Sequence, residues 1–392
     1  VTPRQLALTV GWGIYCASSW TWCIGMFLPH ILLDRYGWPG VIAFAVPNVL
    51  GCAGFGYVLN ARQSSALVER HRRAMTWFSL ITIAFHLLFV CMIWRWFVPP
   101  GALDGWTLIL APAILLAGST LLFGLPDRWW PAPAGIAYTI SLVVWLCVGG
   151  GSLSSIGWSG ELSLAHLAWT APVMILGFLA CPYLDLTFHR ARQMTPSRHA
   201  FGVFGVTFAA MILLTCAYAG RIDGPLFGVI VVHFFAQAMM TCAVHLREME
   251  RSGDRSLLEP RRLRTVTIVL IIGVMILSAA SASRDVMIDV YLRMFFFYGV
   301  LFPAYVVIVM PFSDATTRRR DSHRVVFLCI LLAPLCEFGF LGSPAWLLTV
   351  AVGVLLAIGV VRQKTARLRG DAQVDAGPST DVTASRSTSS SY

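Results

Sequence analysis

The chain has 392 residues, of which 57% are hydrophobic and 12% charged, where a soluble domain carries roughly a quarter charged residues. A water-soluble fold has too little interior to hide that much apolar surface, so the composition excludes one and calls for lipid. The net charge of +10 does not signal nucleic acid, because the basic residues sit almost entirely in alternate loops between hydrophobic runs, the intervening loops carrying only isolated arginines such as Arg221 and Arg284.

One crossing of a bilayer needs about 20 apolar residues. The apolar runs predict twelve spans, over 5–33, 38–60, 74–98, 105–125, 132–150, 165–188, 200–219, 225–246, 265–283, 288–311, 325–341 and 344–361. They are too long and too continuous for barrel strands, and only a helix satisfies its own backbone in lipid, so the expected fold is all-α and polytopic.

Span one carries Ala17, Ser18, Ser19, Trp20 and Thr21 near its middle and Pro29 near its outer end. Small and hydroxylated residues there predict a broken helix, and Trp20 and Trp22 can stack on an organic or cationic ligand. Span two holds Pro47-Asn48, a kink with an amide to offer. Arg62, Arg70, Arg72 and Arg73 follow it. His86 lies mid-span in the third helix, where an ionisable group is costly and therefore a candidate for substrate binding or proton relay.

The outer loop 149–164, opening on three glycines, divides the chain. Span six contains Pro172, Gly177 and Cys181-Pro182, and Asp185 beside His189 and Arg190 suggests an interfacial ion pair or an inner latch. His233 in span eight is the second buried imidazole candidate. Segment 247–264 is the longest charged connection, and Arg318, Arg319, Arg320 and Arg324 follow span ten. Asp289 and Arg293 are one helical turn apart and can neutralise each other. Glu337 lies toward the outer end of span eleven.

Arginines thus recur in every second loop and again in the tail, which places both termini in the cytoplasm and requires an even number of spans. The dominance of Arg over Lys, with abundant Ala, Val and Leu, points to a GC-rich bacterial genome and hence a bacterial plasma (inner) membrane. All ten cysteines fall inside spans without a C-x-x-C pair, so neither disulfides nor zinc is expected. H-E-x-x-H, G-x-S-x-G and Walker patterns are missing, and no enzyme is predicted. A membrane domain over 1–364 and a disordered cytoplasmic tail over 365–392 complete the division.

With the N-terminus inside, spans one and six run in opposite directions. This allows two inverted repeats, about 5–150 and 165–311, with extra helices over 325–361. Paired interruptions in corresponding spans mark a site at the bilayer midplane. The stretch Ser18-Ser19-Trp20-Thr21-Trp22-Cys23-Ile24-Gly25, the turn Arg35-Tyr36-Gly37 and the segment 187–193 ending span six together resemble sodium:solute symporters, within the broader amino acid-polyamine-cation superfamily. That resemblance implies the ten-helix LeuT-like fold, with substrate and ion held around the breaks in spans one and six by the backbone of Ala17 to Thr21. Span eight offers only Thr241 where sodium-coupled members have paired hydroxyls, so a proton, sodium or no coupling ion all stay open.

The expected function is secondary transport of a small solute by alternating access. The expected site comprises Ala17, Ser18, Ser19, Trp20, Thr21, His86, Gly177 and His233, with Asp185 and Arg190 as a gate. A non-transporting multi-pass scaffold or sensor is the alternative. A packed, apolar centre would distinguish it from a transporter.

Overall fold

The computed structural model describes residues 2–97, 107–148, 153, 155–218, 226–252, 284–311, 315–342 and 344–375. Span nine, the connection beyond residue 252 and the tail beyond residue 375 lie outside them. Helices, and no strands, make up the described residues. Nine are long and apolar enough to cross a membrane, or ten if one bent pair counts as a single span. The protein is therefore a multi-pass helical membrane protein. The fourth predicted span is present as a shorter apolar helix.

The helices are α1 (Pro3–Trp20), α2 (Cys23–Tyr36), α3 (Trp38–Val58), α4 (Ala61–Phe97), α5 (Thr107–Phe123), α6 (Pro131–Val148) and α7 (Leu164–Ala180). They continue with α8 (Leu186–Met194), α9 (Ala200–Tyr218), α10 (Phe227–Ser252), α11 (Arg284–Phe296), α12 (Phe302–Ile308), α13 (Ala315–Leu341) and α14 (Trp346–Asp375). The last runs past residue 365, where the composition predicted a disordered tail.

Local chemistry sets the ends. Thr2 and Gln5 form a reciprocal capping box before α1, with Pro3 at the first helical position. Asn60 and Gln63 exchange the same pair of bonds at the start of α4. Between α2 and α3 the chain turns at Gly37, whose φ of 66° and ψ of −153° only glycine adopts easily. A Cβ there would also lie 2.6 Å from the Gly157 carbonyl, since the outer loop docks on this turn through Trp38 N–H to Gly157 O and Leu162 N–H to Arg35 O.

Burial separates a central helix from peripheral ones. The apolar window of α4 is 89% buried, that of α13 and of α14 only 28%, so α4 is wrapped by protein while the last two helices face outward. α1 packs on α9, α6, α10 and α8, while α2 packs on α3 and α9. The bent pair α1 and α2 therefore threads the middle of the bundle.

Candidate functional site

The axis turns by 62° between α1 and α2, at Thr21-Trp22. Side chains explain why the helix stops there. Ser19 and Thr21 turn their hydroxyls back onto the Cys16 and Ala17 carbonyls, at 3.1 and 2.7 Å, in competition with the backbone ladder. The ladder bond from Cys23 N–H to Ser19 O is replaced at both ends. The Trp22 indole donates to Ser19 O at 2.6 Å, and Cys23 N–H donates to His86 Nε2 at 3.2 Å.

Other helices donate to carbonyls at and just beyond the bend. Thr241 of α10 lies 3.3 Å from Ser18 O and 3.5 Å from Ser19 O, the Tyr291 hydroxyl donates to Cys23 O at 3.0 Å, and Thr215 donates to Gly25 O at 2.7 Å. Tyr218 donates to Met26 O. Thr215→Val keeps the shape but leaves Gly25 O without that donor. We expect it to cost about 1 kcal/mol, in the range of interhelical hydrogen bonds in lipid, when thermal unfolding is followed in detergent.

The second interruption is at Cys181–Asp185. A short 3₁₀ turn, Cys181–Tyr183, ends α7, and Pro182 has no N–H for the Phe178 carbonyl. Asp185 then caps α8, accepting from Thr187 N–H at 2.7 Å. The two breaks touch, because the Thr187 hydroxyl donates to Ser19 Oγ at 3.1 Å.

Aromatic rings fill the space beside this contact. Trp20 lies 4.3 Å from Trp22 and 4.9 Å from Phe188, centroid to centroid, and Trp22 also meets Phe78 and Tyr298. The Trp20 indole donates to Asn48 Oδ1 at 2.8 Å, the amide of the Pro47-Asn48 pair.

The break thus gathers Ala17, Ser18, Ser19, Trp20, Thr21 and His86. His233 sits elsewhere on α10, where its Nδ1 meets Ser141 Oγ at 2.8 Å in the contact with α6. Gly177 is inside an unbroken stretch of α7. A Cβ there would lie 2.7 Å from Tyr298 O, so this glycine permits close approach to the π-helical turn Phe297–Leu301 between α11 and α12. That turn, the hydroxyls of Thr187, Thr215, Tyr218 and Tyr291, and Tyr298 were not among the predicted residues. A hydroxyl in an apolar helix is their one sequence signal, since it must find a partner in lipid.

Asp185 and Arg190 do not pair. Asp185 caps α8 through Oδ1 while its Oδ2 is buried without a hydrogen-bond partner, and Arg190 Nη2 reaches Asp127 Oδ2 at 2.6 Å, with its Nε 3.7 Å from Glu248. Arg251 also binds Asp127 and lies 3.7 Å from Glu248, and Arg247 is 3.8 Å from Asp127. This ionic cluster ties α8 and α10 to the turn before α6, at the arginine-rich end. Beside it, a cavity of about 300 Å³ lies between α4, α8 and α10, lined by Glu69, Arg72, His189, Arg190, Glu248 and Arg251 among others. Burial pushes the His189 imidazole down to about 4, so it is neutral at pH 7. In that form Nε2–H donates to Tyr183 O and Nδ1 accepts from Ser64, fastening α8 to α4. The predicted Asp289–Arg293 pair is likewise replaced, since Arg293 Nη2 binds Glu337 of α13 at 2.7 Å.

Among the described residues no group of three or more His, Cys, Asp or Glu could hold a metal ion. Comparison with known proteins adds no relative: no protein-family model matches the chain, and no curated protein matches its sequence.

Proposed function

We propose that the protein is a secondary transporter, symporter-like, that moves a small solute across a bacterial plasma membrane by alternating access. In this reading the substrate site lies at the break between α1 and α2, the core is a LeuT-like pair of inverted repeats, and both termini are cytoplasmic. The observation that carries it is the contact of two broken helices at Ser19 and Thr187, 3.1 Å apart, in the middle of the bundle. Unwound helices at membrane depth are tolerated where backbone groups serve a ligand or are protected by protein. Here side chains cap them, so the conformation is a closed one in which the Ser18 carbonyl is held by Thr241 and the Ser19 carbonyl by the Trp22 indole until solute or coupling ion replaces them.

The scaffold reading has its own support in the aromatic filling of the same centre by Trp20, Trp22, Phe78 and Tyr298. Side-selective labelling of a Ser19→Cys variant separates the two. A small membrane-impermeant thiosulfonate is added to right-side-out and to inside-out vesicles, with the unsubstituted chain as the baseline for native cysteines. Alternating access predicts reaction from both sides above that baseline, whereas a scaffold leaves position 19 unreactive from either.

A further inference from the structure

A cavity lined by both arginines and apolar side chains lies away from the break. It has a volume of about 510 Å³ and lies between the first half of α4, the start of α12 and the first half of α13. Its lining changes character along both long helices in the same sense. On α4, Arg70 and Arg73 are followed by Trp77 and Ile81, and on α13, Arg319 is followed by His323 and Val326. Spacings of three or four residues keep Arg73, Trp77 and Ile81 on one face of α4 and Arg319, His323 and Val326 on one face of α13, and Arg70 joins the first series across the kink at His71. Each stripe therefore starts cationic at the arginine-rich end and becomes apolar toward the membrane interior. From Arg73 to Ile81 a helix rises about 12 Å, most of the depth of one leaflet.

None of the lining residues is a carboxylate, and among the described residues Arg70, Arg73 and Arg319 have no acidic partner. A second observation comes from His71, where α4 kinks with φ −116° and ψ 17°. The residue is buried, its Nδ1 is 3.0 Å from the Tyr305 hydroxyl, and its Nε2 is buried with no hydrogen-bond partner. A buried polar nitrogen in a wall whose charged groups are all cations, with the Tyr305 and Ser322 hydroxyls beside them, is suited to an oxygen-rich anionic ligand. Trp77 and Val326 are exposed, so the apolar part of the cavity is open rather than sealed within the bundle.

We propose that this cavity is a binding site for one anionic phospholipid of the leaflet at the arginine-rich end. Its phosphate lies among Arg70, Arg73 and Arg319 within reach of His71, and an acyl chain runs along Trp77, Ile81 and Val326. A free inorganic anion would use the cations and leave the apolar stripe empty. A zwitterionic lipid would fill the stripe and satisfy the cations poorly.

Native mass spectrometry of the full chain in detergent, titrated with phosphatidylglycerol or with phosphatidylcholine of the same acyl chains, tests this. The unsubstituted protein is expected to retain phosphatidylglycerol in preference. The triple variant Arg70→Gln/Arg73→Gln/Arg319→Gln is expected to lose about 100-fold in apparent affinity. A charge-matched variant at exposed positions outside the cavity, Arg4→Gln/Arg62→Gln/Lys364→Gln, is expected to bind as the unsubstituted chain does. Equal losses in the two variants would overturn the site in favour of diffuse charge attraction. On the unsubstituted protein, displacement of the lipid by glycerophosphoglycerol or inorganic phosphate at the concentration at which the lipid itself competes would overturn it in favour of a free-anion site. Equal retention of the two lipids would overturn it whether or not the variants fold.

Discussion

Replacing His86 with leucine is expected to lower the stability of the protein by about 2–3 kcal/mol, and replacing it with glutamine by about 1 kcal/mol or less. The imidazole works at both ends. Its Nδ1 lies 2.8 Å from the Thr82 carbonyl, which fixes the proton there, and Nε2 is left with the lone pair that accepts Cys23 N–H. Cys23 is the first residue of α2, so that N–H has no partner within its own helix. Leucine fits the apolar surroundings but strands the donor where no water competes, at the full desolvation cost. Glutamine offers an amide oxygen at similar reach. The check is unfolding in detergent by heat or by denaturant for the three proteins. A leucine variant as stable as the glutamine variant would mean that the bend at Thr21-Trp22 does not depend on this bond.

How much of this arrangement the residue order discloses varies with the range of the interaction. The bend in the first span is local, since hydroxyls at 19 and 21 and an indole at 22 consume carbonyls three and four residues back, and it falls inside the segment that composition marks. In span six two small-residue signals compete. Pro182 removes a donor and breaks the helix, whereas Gly177 leaves it intact and admits the Tyr298 carbonyl at close range. Sequence weighs both as interruptions because the second effect depends on a neighbour 121 residues away. Ion pairs mislead for the same reason. Asp185 and Arg190 are near in sequence and Asp289 and Arg293 have the i,i+4 helical spacing, yet Asp185 caps α8 through one oxygen, and Glu337, 44 positions on, takes Arg293. Asp127 carries no local signal of its role, because its partners Arg190 and Arg251 are 63 and 124 residues distant.

Asp127 is the residue on which the arginine-rich end depends most, and Asp127→Asn is expected to loosen that end by about 2 kcal/mol, roughly a 30-fold rise in its open population. The carboxylate joins Arg190 of α8 and Arg251 of α10 at one oxygen, with Arg247 3.8 Å from the other. It is 30% exposed, so its loss costs less than that of a fully buried ion. Arg190, however, is only 12% exposed, and without Asp127 it retains Glu248 alone, at 3.7 Å. Asparagine preserves the volume and one acceptor while removing the charge, which confines the change to the ionic link between α8, α10 and the turn before α6. The rate at which Thr187→Cys is labelled from the arginine-rich side measures the result, because Thr187 is buried at the Ser19 contact on α8, the helix that the cluster holds through Arg190. Glu248→Gln is expected to have a smaller effect, since both of its arginines stand at 3.7 Å. Under alternating access, a ligand-free protein biased toward opening at one end must become less open at the other, as the two states share one population. Labelling of Ser19→Cys from the opposite side should therefore fall as labelling of Thr187→Cys rises. A scaffold loosened at one end has no such reciprocal protection, so the sign of the second rate decides whether the cluster is a gate or a clamp.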